Sequence, residues 1–319
     1  MNRLRYVATR LGQLVIVLLL VSFLTFLLVH LLPGDPVTTI LGPAGTAQTR
    51  ALLRAQLGLD HSIPVGYAIW LWHALQGNLG QSYLSHQTVA SAISQALPID
   101  IELVIISQVL ALAIAIPLAM IAARRPGGWL DQVGSSVSFG MLAIPAFVTG
   151  VILQQLFAVH YHVFPATGWT SLTSNFVQNV RDAALPSITV ALASVAGYMR
   201  LLRAEMINTL QEDFITMARS KGLSTPRILM RHAFRPSTFP LLTAAGLSIA
   251  AVVSSDFVVE YIFQAPGLGY QAINAIYARD YLILQGDVLV IAVLFVVSLF
   301  VVNMLYAVVD PRTRRAAVT

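Results

Sequence analysis

The sequence predicts an all-α polytopic membrane protein with six transmembrane helices. Three observations lead there. The first is a charge deficit along the whole chain: 10% of its 319 residues are charged and 57% are hydrophobic, against about 25% charged in soluble domains. The second is a set of six long segments free of Asp, Glu, Lys and Arg. The third is the distribution of basic residues among the stretches between them. A large soluble helical core, the simplest rival, needs polar faces on its outer helices. These segments show almost none.

The segments run from Leu11 to Val29, Leu103 to Ala123, Gln132 to Val180, Ala183 to Met199, Pro236 to Ser255 and Val288 to Val309. Five have roughly the length of one hydrocarbon crossing, about 17–25 residues. The third, 49 residues long, is strongly apolar only to about Val159 and then passes through "HYHVFPATGWTSLTSN", which reads as a loop. The first exceeds the roughly 7–15-residue apolar core of a signal peptide. It runs into "LLPGDP", so it reads as a retained anchor.

Between the first two spans lies a long outer segment, from about Leu31 to Ile99. "AQTRALLRAQLGLD" predicts a helix with Leu52, Leu53 and Leu57 on one side, closed by Gly58. "VGYAIWLWHALQGNLGQSY" predicts a second, carrying Tyr67, Trp70 and Trp72. Those aromatics suit either a membrane interface or a small outer cap that meets a partner or substrate. Pro117, Pro145 and Pro186 fall inside spans and predict bends. Ser107, Gln108, Thr149, Gln154, Gln155, Ser187, Thr189 and Ser194 accompany them, as helix glue or as lining of a path.

Charge sets the orientation. With the N-terminus inside and six alternating spans, 15 of the 19 basic residues fall inside, the bias expected of cytoplasmic loops. Only Arg50, Arg54, Arg181 and Arg279 fall outside, together with nine of the 14 acidic residues. Both termini are therefore expected in the cytoplasm. The basic excess is a product of topology and makes no case for nucleic acid binding.

Catalytic chemistry finds little support. Cysteine is absent, which removes disulfides and thiolates. His160 and His162 share no helix face and have no carboxylate near them in sequence, so a metal centre, with its three or four ligands, is not expected there. Asp256 and Glu260, four residues apart at the outer end of the fifth span, are either functional carboxylates or solvated helix-end charges. HExxH, GxSxG and GxxxxGK[ST] do not occur. The chain is expected to be no enzyme and to bind no cofactor.

The stretch "QEDFITMARSKGLSTPRILMRHAFRPS", Gln211 to Ser237, is polar and basic between two apolar spans. Phe214, Met217 and Ala218 recur at helical spacing, Gly222 interrupts them, and "STP" restarts a helix with Ser224 or Thr225 as cap and Pro226 in the first turn. Arg227, Arg231 and Arg235 then fall four apart on one face. A basic loop lying on anionic lipid accounts for the charge. It does not account for a helix–glycine–helix elbow, which is the form of a docking surface for a cytoplasmic partner.

Here the residues carry a resemblance. "PGDP" (Pro33–Pro36), "LGLD" (Leu57–Asp60), "GNLGQSY" (Gly77–Tyr83), "PAF" (Pro145–Phe147), "ARSKGLS" (Ala218–Ser224), "RHAFRP" (Arg231–Pro236), "VVEYIFQAPGLG" (Val258–Gly269), "RDY" (Arg279–Tyr281) and "DPRTR" (Asp310–Arg314) stand in order between matching spans. The chain resembles the inner-membrane permease subunits of ABC importers for dipeptides, oligopeptides and nickel, in the subunit type that comes first in the usual pair. Thr216, Met217 and Ala218 stand where the general coupling motif has Glu-Ala-Ala, and Gly222 stands at its glycine. His232 to Arg235 replace that motif's "I-x-L-P", and Asn78 replaces a usual Asp.

The resemblance implies a type I ABC importer permease fold with a cytoplasmic coupling helix in a bacterial plasma (inner) membrane. Residues 1–98 would form a first span plus an extracytoplasmic subdomain. Residues 99–310 would form a five-helix core with the coupling loop at about 205–236, and 311–319 a cytoplasmic tail. Asp213, Phe214, Ala218, Arg219, Lys221, Gly222, Leu223, Arg227, Arg231, His232 and Arg235 would meet the ATPase. Gly80, Ser82, Tyr83, Glu260, Pro266 and Gly267 would meet a binding protein or gate the outer mouth. Implied partners are a sister permease, two ABC ATPases that bind ATP and Mg, an extracytoplasmic substrate-binding protein and a peptide cargo. Rival readings are the same architecture carrying nickel, haem or glutathione, and a membrane scaffold or intramembrane enzyme.

Overall fold

The computed structural model describes residues 3–30, 36–42, 45–56, 59–82 and 84–309. Its regular elements are helices, with one isolated antiparallel bridge between Gln81 and Thr88. In chain order these are α1 (Arg3–His30), α2 (Pro36–Leu41), α3 (Ala47–Gln56), α4 (Ile63–Leu75), α5 (Val89–Arg124), α6 (Trp129–Ala143) and α7 (Ala146–Leu153). After a π-helical turn, Gln154–His160, come α8 (Phe176–Leu210), α9 (Asp213–Ser220) and α10 (Thr225–Arg227). A second π turn, Ile228–Ala233, leads into α11 (Phe234–Ser255), α12 (Phe257–Phe263), α13 (Leu268–Ala278) and α14 (Tyr281–Val309). Tyr83, Leu57, Gly58, most of "PGDP" and the tail 311–319 lie outside the described residues.

Among the described residues three helices are long and apolar enough to cross a membrane: α5, α8 and Tyr281–Val302 of α14. Trp129–Ala143 and Ala146–His160 make a fourth crossing if the pair counts as one, bent by 100°. The bend sits at Ile144, which is extended at φ −93° and ψ 123°, because a following proline disfavours the α region. Pro117 and Pro186, by contrast, lie inside the unbroken helices α5 and α8. Of the three expected interruptions, only Pro145 breaks its span. A proline inside a helix forfeits one backbone bond, and Pro186 is buried among neighbours that hold it.

The chain divides into two compact units, Met1–Ile101 with Val253–Phe300, and Glu102–Val252 with Val301–Thr319. The first has its own core of Val37, Leu53, Val89, Ile93, Leu268 and Leu282. Leu52 is exposed while Leu53 is fully buried; the expected leucine face splits because adjacent helical residues point about 100° apart. In the same unit α4 lies along α1. The Tyr67 hydroxyl donates to the Leu19 carbonyl at 3.0 Å and sits 2.7 Å from Ser22 Oγ. Phe26 packs against both Tyr67 and Trp70. Trp72 alone of the aromatics on α4 is largely exposed.

The second unit buries Ala111, Ala115, Ala119 and Ala122 of α5 in one cluster with Tyr198, Met199 and Leu202 of α8. A polar network ties three helices at that level. The Tyr198 hydroxyl donates to Gln108 Oε1 at 2.6 Å, Gln108 Nε2 donates to Ser248 Oγ at 3.3 Å, and Ser194 Oγ lies 3.4 Å from Ser248 Oγ. Thr189 and Ser107 bond back to their own helices. The polar residues of these spans serve cohesion. Replacing Gln108 with Leu takes from the buried Tyr198 hydroxyl the acceptor 2.6 Å away and breaks the link to Ser248, a loss of about 1–3 kcal/mol; the melting temperature of the purified protein should fall, and an unchanged value would refute the network's role.

Candidate functional site

The element between α8 and α11 is an elbow with its own small core. Ile215 and Ala218 of α9 and Ile228 are buried together, with Leu210 and Leu223 packed on them. At the end of α9 the Leu223 N–H donates to the Ala218 carbonyl at 3.3 Å and the Gly222 N–H to that of Arg219 at 2.9 Å. This is a Schellman ending, which places its penultimate residue in the left-handed region; Gly222 stands there with φ +74°. A Cβ added at Gly222 would meet nothing within 4 Å. The glycine is therefore required by backbone conformation, since an L side chain in that region costs roughly 1–2 kcal/mol. Crowding plays no part.

Packing this core leaves a second face uncovered. Phe214, Met217 and Met230 are exposed large apolar side chains, and Asp213, Arg219, Lys221, Arg227, Arg231 and Arg235 of the same elbow are exposed as well, with His232 and Leu223 half-buried. Ala218, expected on the outer face with Phe214 and Met217, points inward instead. Ser224 does precede the restarted helix, but its side chain makes no capping bond. The helix then widens into the π turn Ile228–Ala233, whose bonds span one residue more than α bonds. Arg227, Arg231 and Arg235 consequently do not keep the straight four-residue stack expected of them. The root of the elbow is braced: the Arg203 guanidinium grips both carboxylate oxygens of Asp131, and the Gly127 N–H donates to the same group at 2.8 Å.

The outer-segment residues gather elsewhere, in the first unit. Gly80, at φ +94°, turns the chain beside Leu282. Ser82 is buried; its hydroxyl donates to the Asp280 carboxylate and accepts from the Leu84 and Ser85 N–H groups. Glu260 and Gly267 form a second cluster. Glu260 Oε2 accepts the Tyr270 N–H at 3.0 Å, and Asp100 Oδ2 accepts the Leu268 N–H at 3.0 Å. Two carboxyls thus cap the start of α13, where unpaired N–H groups collect. A Cβ on Gly267 would sit 2.5 Å from Glu260 Oε2 and 2.7 Å from Asp100 Oδ1, so only glycine admits both. Pro266 and Asp280 line one cleft with Ser85 and Tyr270, which joins the two outer segments. Asp256 and Glu260 are both buried, against the solvated alternative. Among the described residues no group of His, Cys, Asp or Glu could hold a metal; His160 packs edge-on against Tyr161.

Comparison with known proteins decides what these parts belong to. Residues 115–315 match the model of binding-protein-dependent transport system inner membrane components, and residues 3–104 match the N-terminal model of such membrane components. The chain belongs to this family. It is a non-catalytic permease subunit of an ABC-type importer. A peptide transport system permease protein of Brucella abortus (strain 2308), so named provisionally, is 34% identical over 305 residues, covering 96% of this chain and 97% of that one. A probable peptide ABC transporter permease of Sinorhizobium fredii (strain NBRC 101917 / NGR234) is 33% identical over 309 residues, covering 97% and 99%. The glutathione transport system permease GsiC of Salmonella choleraesuis (strain SC-B67) is 34% identical over 311 residues, covering 98% and 99%.

Sequence reasoning about this permease missed Ile215, Met230, Asp100 and Asp280. Ile215 was legible as the helical partner of Ala218, three residues on. Asp100 was not, because its contact with Leu268 spans 168 residues.

Burial, and after it the neighbouring Asp100 carboxyl, push the Glu260 carboxyl well above its ordinary value of 4.5. The folded protein therefore holds a proton that the unfolded chain releases above that pH. Stability from this group is full below about 4.5 and is lost as pH rises toward the raised value. Glu260→Gln keeps an acceptor for the Tyr270 N–H and removes the titration. Its melting temperature should fall less than the wild type's between mildly acidic and mildly alkaline buffer; equal slopes would contradict this account.

Proposed function

We propose that this chain is the first-type permease subunit of an ATP-driven importer of dipeptides or oligopeptides in a bacterial plasma membrane. Six spans carry it across, with both termini and the elbow in the cytoplasm. The observation that carries the reading is the uncovered face of the elbow, apolar at Phe214, Met217 and Met230 and basic around them. A monomer gains nothing from exposing such a patch. Its chemistry suits the cleft of an ATPase subunit. In this reading Asp213, Phe214, Arg219, Lys221, Leu223, Arg227, Arg231, His232 and Arg235 contact the ATPase, while Ala218 and Gly222 set the elbow's shape. The peptide cargo is supported by the names of the Brucella and Sinorhizobium relatives.

The mechanism follows from two coupled sites. ATP binding closes a pair of partner ATPases and draws the elbows of this chain and a sister permease together. The spans rock, and cargo released by an extracytoplasmic binding protein passes inward between the two permeases. Gly80, Ser82, Glu260, Pro266 and Gly267 shape the outer mouth. Coupling is reciprocal in binding free energy, so docking of the loaded binding protein favours ATP binding and closure of the ATPase pair, from which faster ATP turnover is expected. A second reading, glutathione as cargo, has one observation in its favour: the similarity to the Salmonella glutathione permease.

Two experiments test this. Gly222→Val should insert and assemble with its partners, because no neighbour is crowded. It should lose uptake and binding-protein stimulation of the ATPase; normal transport by an assembled variant would sink the coupling assignment. Because the chain has no cysteine, single cysteines report topology directly. Ser220→Cys should react with an impermeant maleimide only in inside-out vesicles, and Ser171→Cys only in right-side-out ones. The reverse pattern, or labelling of both from one side, would overturn the six-span arrangement.

A further inference from the structure

We propose that the cleft between residues 84–92 and α13 is a transit site for a primary ammonium group, the free amino end of the cargo. The inference rests on the peptide-importer reading and adds which end of the cargo this subunit handles. The cleft has a volume of about 450 Å³ and lies wholly within the first unit, inside the range of roughly 300–1,000 Å³ common for ligand sites.

Its lining is unusual in sign. Asp280 supplies a carboxylate, and Ser85, Gln87, Tyr270, Gln271 and Asn274 line the cleft with it. Both glutamines turn their N–H groups toward the protein: Gln271 Nε2 donates to Asp287 Oδ1 at 3.0 Å, and Gln87 Nε2 to Ser91 Oγ at 3.4 Å. Each keeps its Oε1 as an acceptor, beside one remaining N–H. Asp287 is fully buried, so it holds the Gln271 amide in that sense. Asp280 already accepts from the Ser82 hydroxyl and, at 3.4 Å, from the Ile283 N–H, but a carboxylate has about four lone-pair sites. No Lys or Arg is among the described lining residues, and the adjacent Arg279 is exposed. A carboxylate that shares its cleft with two amide oxygens and has no cation beside it in the lining complements a cationic group with three donors and no acceptor. A carboxylate end of the cargo would meet the Asp280 charge with no Lys or Arg in the lining to offset it, and be repelled.

The test uses the full complex of this chain with its sister permease and ATPases, carrying Ser85→Cys at the cleft rim. Its maleimide labelling, read on this chain by mass spectrometry, is measured with trialanine or N-acetyl-trialanine. Protection scales as one plus ligand concentration over Kd, so trialanine at twice its Kd should slow labelling about threefold. N-acetyl-trialanine should leave it unchanged, and Asp280→Asn, which retains an acceptor for Ile283, should abolish the protection. Equal protection by both peptides, or by neither, overturns the proposal. If Asp280→Asn fails to assemble, the contrast between the two peptides decides alone. Uptake by the complete importer with its binding protein is scored separately. Uptake without protection refutes the ammonium site only, whereas absent uptake of every peptide refutes the importer reading.

Discussion

In a chain this apolar, each buried polar group has to find its partner inside the protein, because no water reaches it in the hydrocarbon layer. Nearly every informative feature of the structure is an answer to that demand. Gln108, Tyr198, Ser194 and Ser248 satisfy one another across α5, α8 and α11. Thr189 and Ser107 solve the same problem locally, by bonding to their own backbones. The two solutions differ in consequence. Back-bonded residues leave helix–helix contact to apolar packing, whereas the network joins three helices by hydrogen bonds.

Helix ends present the demand in its sharpest form, since several backbone groups lose their partners at once. At the start of α13 the exposed N–H groups are met by Asp100 and Glu260. Two carboxyls in so small a space are tolerable because Gly267 leaves room for both and because burial pushes the Glu260 carboxyl upward, which favours its neutral form. At the end of α9 the free carbonyls are met by a turn that only a glycine makes cheaply. One end is completed by distant side chains and the other by local backbone. The second kind of ending is cheap to keep and needs no distant partner, which suits the coupling role proposed for this elbow.

The elbow was largely legible beforehand. Gly222 and the "STP" restart mark a turn and a new helix in any context, and the charges around them have to face water. What escaped was its inner face. Ala218 reads as part of a Phe214–Met217 stripe, yet a helix of eight residues can bury only one narrow side, and Ile215 with Ala218 wins that place against Ile228. The acid cap on α13 was half legible. Glu260 drew notice as a charge beside a span, but its partner Asp100 lies 160 positions earlier. No local pattern in either stretch indicates the other. Pro117, Pro145 and Pro186 look alike as text, and only packing determines that Pro145 breaks its span while Pro186 is held in an intact helix.

By itself the sequence determined the class of the molecule and the places where it could not be membrane. Those properties depend on composition and on runs of like residues, which act through transfer free energies that hardly depend on neighbours. It also determined the glycine of the elbow, because backbone sterics are local. Only the tertiary structure decided which polar groups pair, which face of α9 is left uncovered, and that Asp280, Tyr270 and two glutamines line one cleft. Those outcomes depend on contacts between residues far apart in the chain, where a side chain's meaning is set by what is brought against it.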